Sequence, residues 1–455
     1  MKDLSHLFTQ ENIITDLMIH TKKKCISSIL SLFLISIVMT GCSLYEYQRE
    51  TNSLTSKNSS QNHNQFIPPG HQIQSDLIRS LQLNRSGNPS TAPILELNRS
   101  QQLHLSFEIL DFDSRQFRVT FSHHNPDWSL SSLPPEFFID GNYTQYLDAG
   151  QVSSVQRPSY RQFSFQFPNN QMKFTRSGNY QLQLWDQDNG ELILQLPFFV
   201  TENQGGTRSS IESIPVPRQN MRITHRPISW YSLPDFVDQP LFDLEFYFAQ
   251  NQFWGNSKKA DELDFSDPNE VQFELSNQYS FIGDYEFLNL SLNNLSQSNP
   301  QIVESSPSDN PPTLYLSDDA SGFSSNRSPQ SGRYGRPNND LSARYANVVF
   351  TFDPGKEIKP GQRIYLVGDF NNWMIEPNTE LKRNDGLSRW QTSTIIKEGS
   401  YSYKYVLMEG NQIDDLYFDD LFSNTRQEYH SFVYMRDSNQ FYYRLLQVNR
   451  FYSDS

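Results

Sequence analysis

Cysteine is nearly absent from this 455-residue chain. The two cysteines, Cys25 and Cys42, both lie close to the N-terminus. Residues 43–455 therefore cannot form a disulfide with one another, and folded domains there must be stabilised by their hydrophobic cores alone. Domains of roughly 100 residues bury enough surface to fold in this way, and the length leaves room for two to four of them.

Positive charge is also scarce, because 37 basic residues face 51 acidic ones and the formal net charge is −14. A nucleic-acid-binding protein normally carries a basic patch, and the sequence contains none, so we expect no nucleic-acid partner. An acidic balance instead keeps an exported protein soluble. The chain also lacks a nucleophile elbow, a phosphate-binding loop, a dinucleotide fingerprint and a zinc motif. We therefore expect a non-enzymatic protein with no cofactor and no small-molecule substrate.

Long runs of helix-forming residues are missing too, whereas aromatic residues make up 14 % of the chain. Tyr and Phe supply most of them, and both residues favour β-strands. Short segments that alternate apolar and polar residues recur from Ile78 onward, separated by turn residues. This pattern predicts an all-β protein with three immunoglobulin-like β-sandwich domains.

Changes in composition divide the chain into six segments. Residues 1–41 predict a lipoprotein signal peptide, and residues 42–75, rich in Ser, Asn, Gln and Thr, predict a disordered tether. A first β-sandwich is predicted over residues 76–202 and a second over residues 203–290. Residues 291–342, dominated by Ser, Asn, Pro, Asp and Gly, predict a disordered linker or a long surface insertion. A third β-sandwich is predicted over residues 343–455.

The N-terminal segment has the layout of an export signal. Three lysines, Lys22 to Lys24, precede an apolar run over residues 26–38 that is short for a membrane span. The run closes in VMTGC, Val38 to Cys42, which resembles the bacterial lipobox, in which the Gly–Cys bond is cut and the cysteine carries lipid. Met18 is a candidate for the true start, because a signal beginning there has ordinary length. The alternative is an uncleaved membrane anchor with an incidental cysteine.

Two adjacent histidines, His123 and His124, end a predicted strand of the first sandwich, and Asp127 and Trp128 follow them. Successive residues of a strand point to opposite faces of the sheet, so the two histidines cannot easily share one metal ion. No ligand set at suitable spacing completes a site nearby. The Asn-Pro-Asp sequence that follows the histidines is typical of a tight turn. We therefore expect an ordered loop, anchored on the sandwich by Trp128, and no metal site.

The first sandwich resembles a known family, the type IX secretion system plug proteins. The similarity extends from Ile78 to about Leu446 and is weakest across residues 291–342. The motifs that carry it are, in chain order, His123 or His124 with Asp127 and Trp128, then Asp140 and Gly141, then the run from Phe167 to Tyr180. The resemblance implies that the histidine element is family framework and a candidate docking loop.

The same resemblance implies an accessory lipoprotein that plugs the periplasmic opening of the outer-membrane translocon barrel when no cargo is present. The barrel is then the protein partner, and a lipid on Cys42 attaches the chain to the membrane. Ser43 differs from the aspartate that retains some bacterial lipoproteins at the inner membrane. We therefore expect the lipid to lie in the outer membrane, with the protein on its periplasmic face.

The third sandwich resembles the early-set domain of glycogen-binding modules, through IYLVGDFNNW (Ile364 to Trp373) and GSYSYKYVL. This resemblance implies glycan contacts by Trp373 and Lys404. The second tryptophan of those modules is missing, because Glu409-Gly410 leads into Asn-Gln-Ile-Asp. We therefore expect Trp373 to have a packing role. A glycan-binding envelope lipoprotein stays the alternative function.

The anchor hypothesis predicts that Cys42→Ser releases the protein into the soluble periplasmic fraction, because the variant lacks the thiol that carries the lipid. Fractionation of cells followed by immunoblotting measures this. Cys25→Ser is the matched control and is expected to stay in the membrane fraction. A Cys42→Ser protein that remains membrane-bound after a high-salt wash would show that the hypothesis is wrong.

Overall fold

A computed structural model describes residues 72–453, apart from residues 75, 89–90, 111–114, 217–221, 284, 322–334, 420–425 and 438–440. The predicted signal peptide, Cys42 and nearly all of the predicted tether lie outside the described residues. The described residues belong to one compact unit. No helix among them is both long enough and apolar enough to cross a membrane.

The first sandwich extends from Gln72 to Thr201 and consists of two facing sheets. One sheet has the order β1-β12-β11-β5-β7, with β3 added to β12, and the other has the order β2-β4-β9-β8. A short ribbon of β6 and β10 lies beside them. Its elements are β1 (Gln72–Ile73), β2 (Arg79–Arg85), β3 (Ile94–Glu96), β4 (Leu103–Ile109), β5 (Phe117–His124), α1 (Pro135–Phe138), β6 (Ile139–Gly141), β7 (Gln145–Tyr146), β8 (Gln151–Val152), β9 (Arg161–Phe167), β10 (Met172–Phe174), β11 (Gly178–Asp186) and β12 (Leu192–Thr201).

The alternation of apolar and polar residues along the strands determines which side chains form the core of this sandwich. Leu103, Leu105 and Phe107 of β4 point inward, while Phe117 and Val119 of β5 meet them from the opposite sheet, and all five are buried. The polar residues between them point outward. Burial of apolar surface of this kind supplies most of the stabilisation that a disulfide-free domain needs.

The second sandwich begins with seven strands and one helical turn. They are β13 (Gly206–Val216), β14 (Arg222–Ser232), α2 (Pro240–Asp243), β15 (Leu244–Gln250), β16 (Lys258–Lys259), β17 (Glu262–Asp267), β18 (Glu270–Glu274) and β19 (Phe281–Ile282). One sheet has the order β13-β14-β18-β17, with β19 on β14. The other is completed by the last hairpin of the chain, β31 (Glu428–Asp437) and β32 (Tyr442–Tyr452), in the order β16-β15-β31-β32.

The third sandwich is inserted between β19 and β31. One sheet centres on β29, which pairs with β20, β24, β26 and β30, and the other has the order β21-β22-β25-β28-β27, with β23 on β25. Its strands are β20 (Leu288–Ser291), β21 (Ile302–Ser306), β22 (Thr313–Leu316), β23 (Asp319–Ala320), β24 (Arg336–Pro337), β25 (Tyr345–Asp353), β26 (Gln362–Gly368), β27 (Lys382–Asn384), β28 (Arg389–Lys397), β29 (Gly399–Glu409) and β30 (Gln412–Asp414).

This topology corrects two predicted boundaries. The segment 426–453 belongs to the second sandwich and not to the third, because β31 pairs with β15. Residues 291–321, predicted as a linker or insertion, form strands of the third sandwich, and their few apolar residues enter its core: Leu292, Leu295, Ile302, Leu314 and Leu316. Their polar residues form tight turns, as where Asn294 Oδ1 accepts the Ser296 N–H. Residues 322–334 lie outside the described residues.

Each pair of sandwiches is in direct contact. The first and second share an apolar cluster in which Phe199 meets Trp254 and Phe432, both with ring centroids 5.0 Å away. The second and third meet where Phe253 packs on Trp373 at 5.4 Å. Both interfaces are built from large aromatic rings, which bury the most apolar area per side chain.

The first and third sandwiches meet through a buried ion pair. Lys397 Nζ of β28 lies 2.5 Å from Glu108 Oε1 of β4, and both side chains are almost fully buried. The Tyr345 hydroxyl donates to Glu108 Oε2 at 2.5 Å, and Gln162 donates to Oε1 at 2.9 Å. The ammonium group also lies 4.5 Å from the centre of the Tyr160 ring. Burial lowers the pKa of Lys397, and the Glu108 carboxylate opposes this shift.

Removing one partner of this pair should destabilise the protein strongly. Glu108→Ala leaves the Lys397 ammonium buried without a counter-charge, at a cost of about 3–5 kcal/mol in the free energy of unfolding. The double variant Glu108→Leu/Lys397→Met, which replaces both charges by apolar groups, should recover most of that loss. Urea unfolding of the complete chain measures both.

The matched control is Glu270→Ala, which removes an exposed ion pair with Arg208 and should cost about 0–1 kcal/mol. A loss in Glu108→Ala no larger than in this control would contradict the assigned role of the buried pair.

Candidate functional site

The two histidines of the family element point to opposite faces of their sheet. His123 points into the core of the first sandwich, where its ring meets that of Tyr180 edge-on at 4.9 Å. His124 points to the outer face, beside Trp128. The separation follows from the alternation of a strand, and it prevents the two imidazoles from facing one ligand.

The hydrogen bonds of His123 define its tautomer. Nε2 lies 3.0 Å from the carbonyl oxygen of Ser177, and Nδ1 lies 2.9 Å from Ser131 Oγ. A carbonyl group can only accept, so Nε2 carries the proton and Nδ1 accepts from the Ser131 hydroxyl. The ring therefore connects β5 both to the loop that follows it and to the start of β11.

The hydrogen bonds of His124 define the opposite tautomer. Nδ1 lies 2.9 Å from the carbonyl oxygen of Trp128, and Nε2 lies 2.9 Å from Ser122 Oγ. By the same argument Nδ1 is the donor. Trp128 has a φ of +65°, an uncommon conformation for a bulky residue, and the bond from His124 to its carbonyl group helps to hold the turn.

Both imidazoles are neutral at pH 7. Burial lowers the pKa of His123 to about 4, although the hydrogen bond to Ser177 acts in the opposite direction. Burial also lowers the pKa of His124. All four ring nitrogens have hydrogen-bond partners, so the rings act as cross-links within the first sandwich rather than as bases or ligands.

Two glycines of the family motifs are explained by close contacts. A Cβ on Gly178, whose φ is +142°, would lie 2.3 Å from His123 Nε2. A Cβ on Gly141, whose φ is +107°, would lie 2.2 Å from the carbonyl oxygen of Gln171. Only glycine fits such positions. Gly141 is paired with Met172 in the β6–β10 ribbon, and the exposed Asp140 is paired with Lys173.

The structure divides the residues of this element, a candidate docking loop, into buried and exposed ones. Trp128 is buried and packs on Phe199 at 5.5 Å, in the cluster shared with the second sandwich. Asp127 is exposed, but its Oδ1 accepts the backbone N–H and the hydroxyl of Ser129, which forms a local turn. His123, His124 and Trp128 are thus buried within the protein, so an external partner cannot reach the indole ring. Asp127, Asp140 and Gly141 remain exposed.

The candidate glycan contacts are buried as well. Trp373 is completely inaccessible, and its Nε1 donates to Asp369 Oδ1 at 2.9 Å. Lys404 pairs with the buried Asp419, Nζ to Oδ2 at 2.7 Å, and lies 4.8 Å from the centre of the Tyr285 ring. Neither side chain can stack on or bind a sugar from solvent, so the structure contradicts the implied contacts.

Sequence reasoning missed the partners that hold these residues. Ser131 and Ser177 carried no signal, since isolated serines are common in loops. Asn179, which accepts a hydrogen bond from the Tyr434 hydroxyl at 2.7 Å, is 255 residues away from its partner. Within the described residues no cluster of three or more His, Cys, Asp or Glu side chains is arranged to hold a metal ion.

The fold and this element define a class, an all-β protein in which sandwiches pack on one another through framework residues. Residues 78–202 match the family described as the type 9 secretion system plug protein 1st domain. The first sandwich is thus a domain of this family, and the match supports a role related to type IX secretion.

Among solved structures, the fold is similar to that of a hypothetical protein from Parabacteroides merdae ATCC 43184, with 20 % identity and a TM-score of 0.75. The match covers 84 % of this chain and 99 % of the other. At this identity it shows the fold alone. The C-terminal domain of the Streptococcus agalactiae AgI/II polypeptide BspA matches over 82 % of this chain and 98 % of its own, at 7 % identity and a TM-score of 0.16, too low to support an argument. Comparison with curated proteins gives no match.

The buried His123 predicts a pH-dependent stability. The unfolded imidazole titrates near 6.5 and the folded one near 4, so between these values the unfolded state binds the extra proton. Stability should therefore fall as the pH drops from 6.5 towards 4, by up to about 1.4 kcal/mol per pH unit from this residue. His123→Gln removes that contribution. Urea unfolding between pH 7 and pH 5 measures the slope, and identical slopes for the variant and the parent protein would contradict the prediction.

Proposed function

We propose that this protein is a non-enzymatic lipoprotein that plugs the periplasmic opening of the type IX translocon barrel when no cargo is present. The observation that carries the proposal is the family match over residues 78–202. A plug needs no reacting groups. It needs a folded surface that lies across a pore, and its binding energy comes from the surface that it buries there.

The mutual contacts of the three sandwiches support this role. Separate domains on one chain normally move relative to one another, unless their interfaces are large and well packed. Here the first sandwich is held on one face by the cluster around Phe199 and on the other by the Glu108–Lys397 pair. A body held in this way keeps its shape when a translocating chain presses on it.

The interface with the barrel must also release. A plug that is displaced whenever cargo arrives requires a standard-sized or polar interface rather than an obligate one. Because Trp128 is buried, its indole ring is not part of the docking face. The glycan-binding alternative has lost its two candidate contacts, Trp373 and Lys404, to the interior and is not proposed.

We propose that the predicted lipid on Cys42 attaches the plug to the outer membrane, on its periplasmic face. A tethered plug stays near its barrel after each release, which raises its effective concentration for the next closure.

The test is co-purification with an affinity-tagged translocon from cells with and without secreted cargo. The complete chain should co-purify with cargo-free barrels and be displaced from loaded ones, because one opening cannot admit both. Each partner should then weaken the binding of the other by the same factor. An unrelated outer-membrane lipoprotein is the control for membrane carry-over.

A strain that lacks the protein should also become sensitive to bulky antibiotics that enter through the open barrel. Equal co-purification with loaded and cargo-free barrels, together with unchanged permeability, would contradict the proposal.

A further inference from the structure

Six large apolar side chains are exposed at one end of the molecule, in what we call the apolar end patch. Each leaves between 44 % and 76 % of its surface open to solvent: Leu130, Phe137, Phe236, Leu241, Phe242 and Phe441. Single exposed apolar residues are ordinary on protein surfaces, whereas a group of them marks an interaction site.

Hydrogen bonds and ring contacts bring these separate segments together. The loop after β5 meets the β31–β32 hairpin where Ser132 Oγ donates to the carbonyl oxygen of Phe441 at 3.2 Å. Phe137 belongs to α1, and its carbonyl oxygen accepts from Thr175 Oγ1 at 3.0 Å, two residues before Ser177. Leu130 forms a bridge with His124. These three positions thus surround the end of β5 and the start of β11.

The second sandwich contributes the other three positions at the same end. Arg444, in β32 of the last hairpin, lies 5.2 Å from the centre of the Phe236 ring and forms a bidentate pair with Glu202. Leu241 and Phe242 belong to α2, directly before Leu244, which pairs with Met435 near the end of β31. Within the described residues the patch therefore combines the loop after β5, α1, α2 and the end of the last hairpin.

The direction of the chain indicates what covers this patch. Gln72 pairs with Gln195 and Ile73 with Leu194, so the N-terminal end of β1 points towards the Val200 end of β12. Val200 is opposite Gly178 and close to His123, at the end of the sheet where the patch lies. Ser43 to His71 precede this strand end in the sequence, and a tether of that length, if unstructured as its composition predicts, would span roughly 30 Å on average.

The chemistry of the patch fits the interfacial region of a bilayer. Its members are Phe and Leu on separate protruding turns, without a shared groove and without a charge of their own. The charged residues near them in the sequence are mostly acidic (Glu136, Asp235, Asp243 and Asp437, against Arg436), so the patch has no preference for anionic lipid. Shallow insertion of apolar side chains into the interface adds membrane affinity to that of a covalent lipid.

We infer that the apolar end patch rests on the lipid bilayer that holds the Cys42 lipid. The inference rests on the proposed lipid attachment, and it adds an orientation. The end formed by the loop after β5, α1, α2 and the last hairpin faces the membrane, which leaves the opposite end of the sheets directed into the periplasm.

The experiment uses the complete lipidated protein in vesicles of phosphatidylethanolamine and phosphatidylcholine. The fluorophore NBD is attached to Phe242→Cys or Phe441→Cys in a Cys25→Ser background, in which Cys42 is blocked by its lipid. The matched control is Val303→Cys, a similarly exposed position in the third sandwich. The two patch labels should show a several-fold gain in emission, a blue shift, protection from aqueous iodide and quenching by brominated acyl chains. The control label should show none of these.

Other occupants give different results. If the patch labels become dehydrated in the absence of lipid, and more so at higher protein concentration, the patch binds a second copy of the chain. That result would overturn the inference. Dehydration only after the translocon barrel is added would assign the patch to a protein partner and also overturn the inference. Fully hydrated patch labels in vesicles overturn it too, and leave plugging itself untouched if co-purification with cargo-free barrels persists.

Discussion

The pairing of β15 with β31 is the constraint on which the arrangement of the three sandwiches depends. β31 has two buried faces. Tyr429 and Val433 enter the core of the second sandwich, whereas Phe432 and Tyr434 pack against the first. The same strand closes the insertion that contains the third sandwich. A single antiparallel ladder therefore completes the second sandwich, supplies the contact surface for the first and fixes where the chain returns from the third.

The three interfaces use different chemistry. Two rely on aromatic packing, which is largely non-directional, and the contact between the first and third sandwiches relies on the Glu108–Lys397 pair. A buried ion pair adds little net stability compared with apolar residues, but it strongly disfavours any arrangement that leaves one charge alone. Tyr345 and Gln162 strengthen this preference, because they satisfy the remaining acceptor sites of the carboxylate. The apolar contacts thus hold the sandwiches together, and the ion pair specifies how the first and third meet.

The sequence predicted the fold class and the first sandwich because both depend on local patterns. Alternation in β4 and β5 identifies inward residues without knowledge of a partner strand. It says nothing about which strand pairs with which, so the hairpin of β31 and β32 was assigned to its nearest neighbours in sequence. Gln250 and Tyr429, which share a hydrogen bond in the second sandwich, are 179 residues apart. The segment 291–321 was misread for a related reason, since five apolar residues suffice for a core when the remaining strands supply the rest.

The family element shows the same limit at the level of single residues. Opposite orientations of His123 and His124 follow from strand geometry, but their tautomers depend on Ser131, Ser177 and the Trp128 carbonyl group. Trp128 packs on Phe199 of its own sandwich, as the sequence predicts. That residues of the second sandwich join the same buried cluster is something no pattern within residues 76–202 can reveal.

The inserted position of the third sandwich has a consequence for the order in which the protein is completed during export. On the proposed export route the chain crosses the inner membrane from its N-terminus, so β15 would emerge well before the strand that must cover it. Until β31 follows, Phe246 and Phe248, both buried in the finished protein, belong to a sheet without its central neighbour. Sequence-distant pairings of this kind are slow to form, and an unpaired strand edge favours aggregation. Under this proposal the second sandwich stays incomplete, with an open strand edge, until its last hairpin has been delivered.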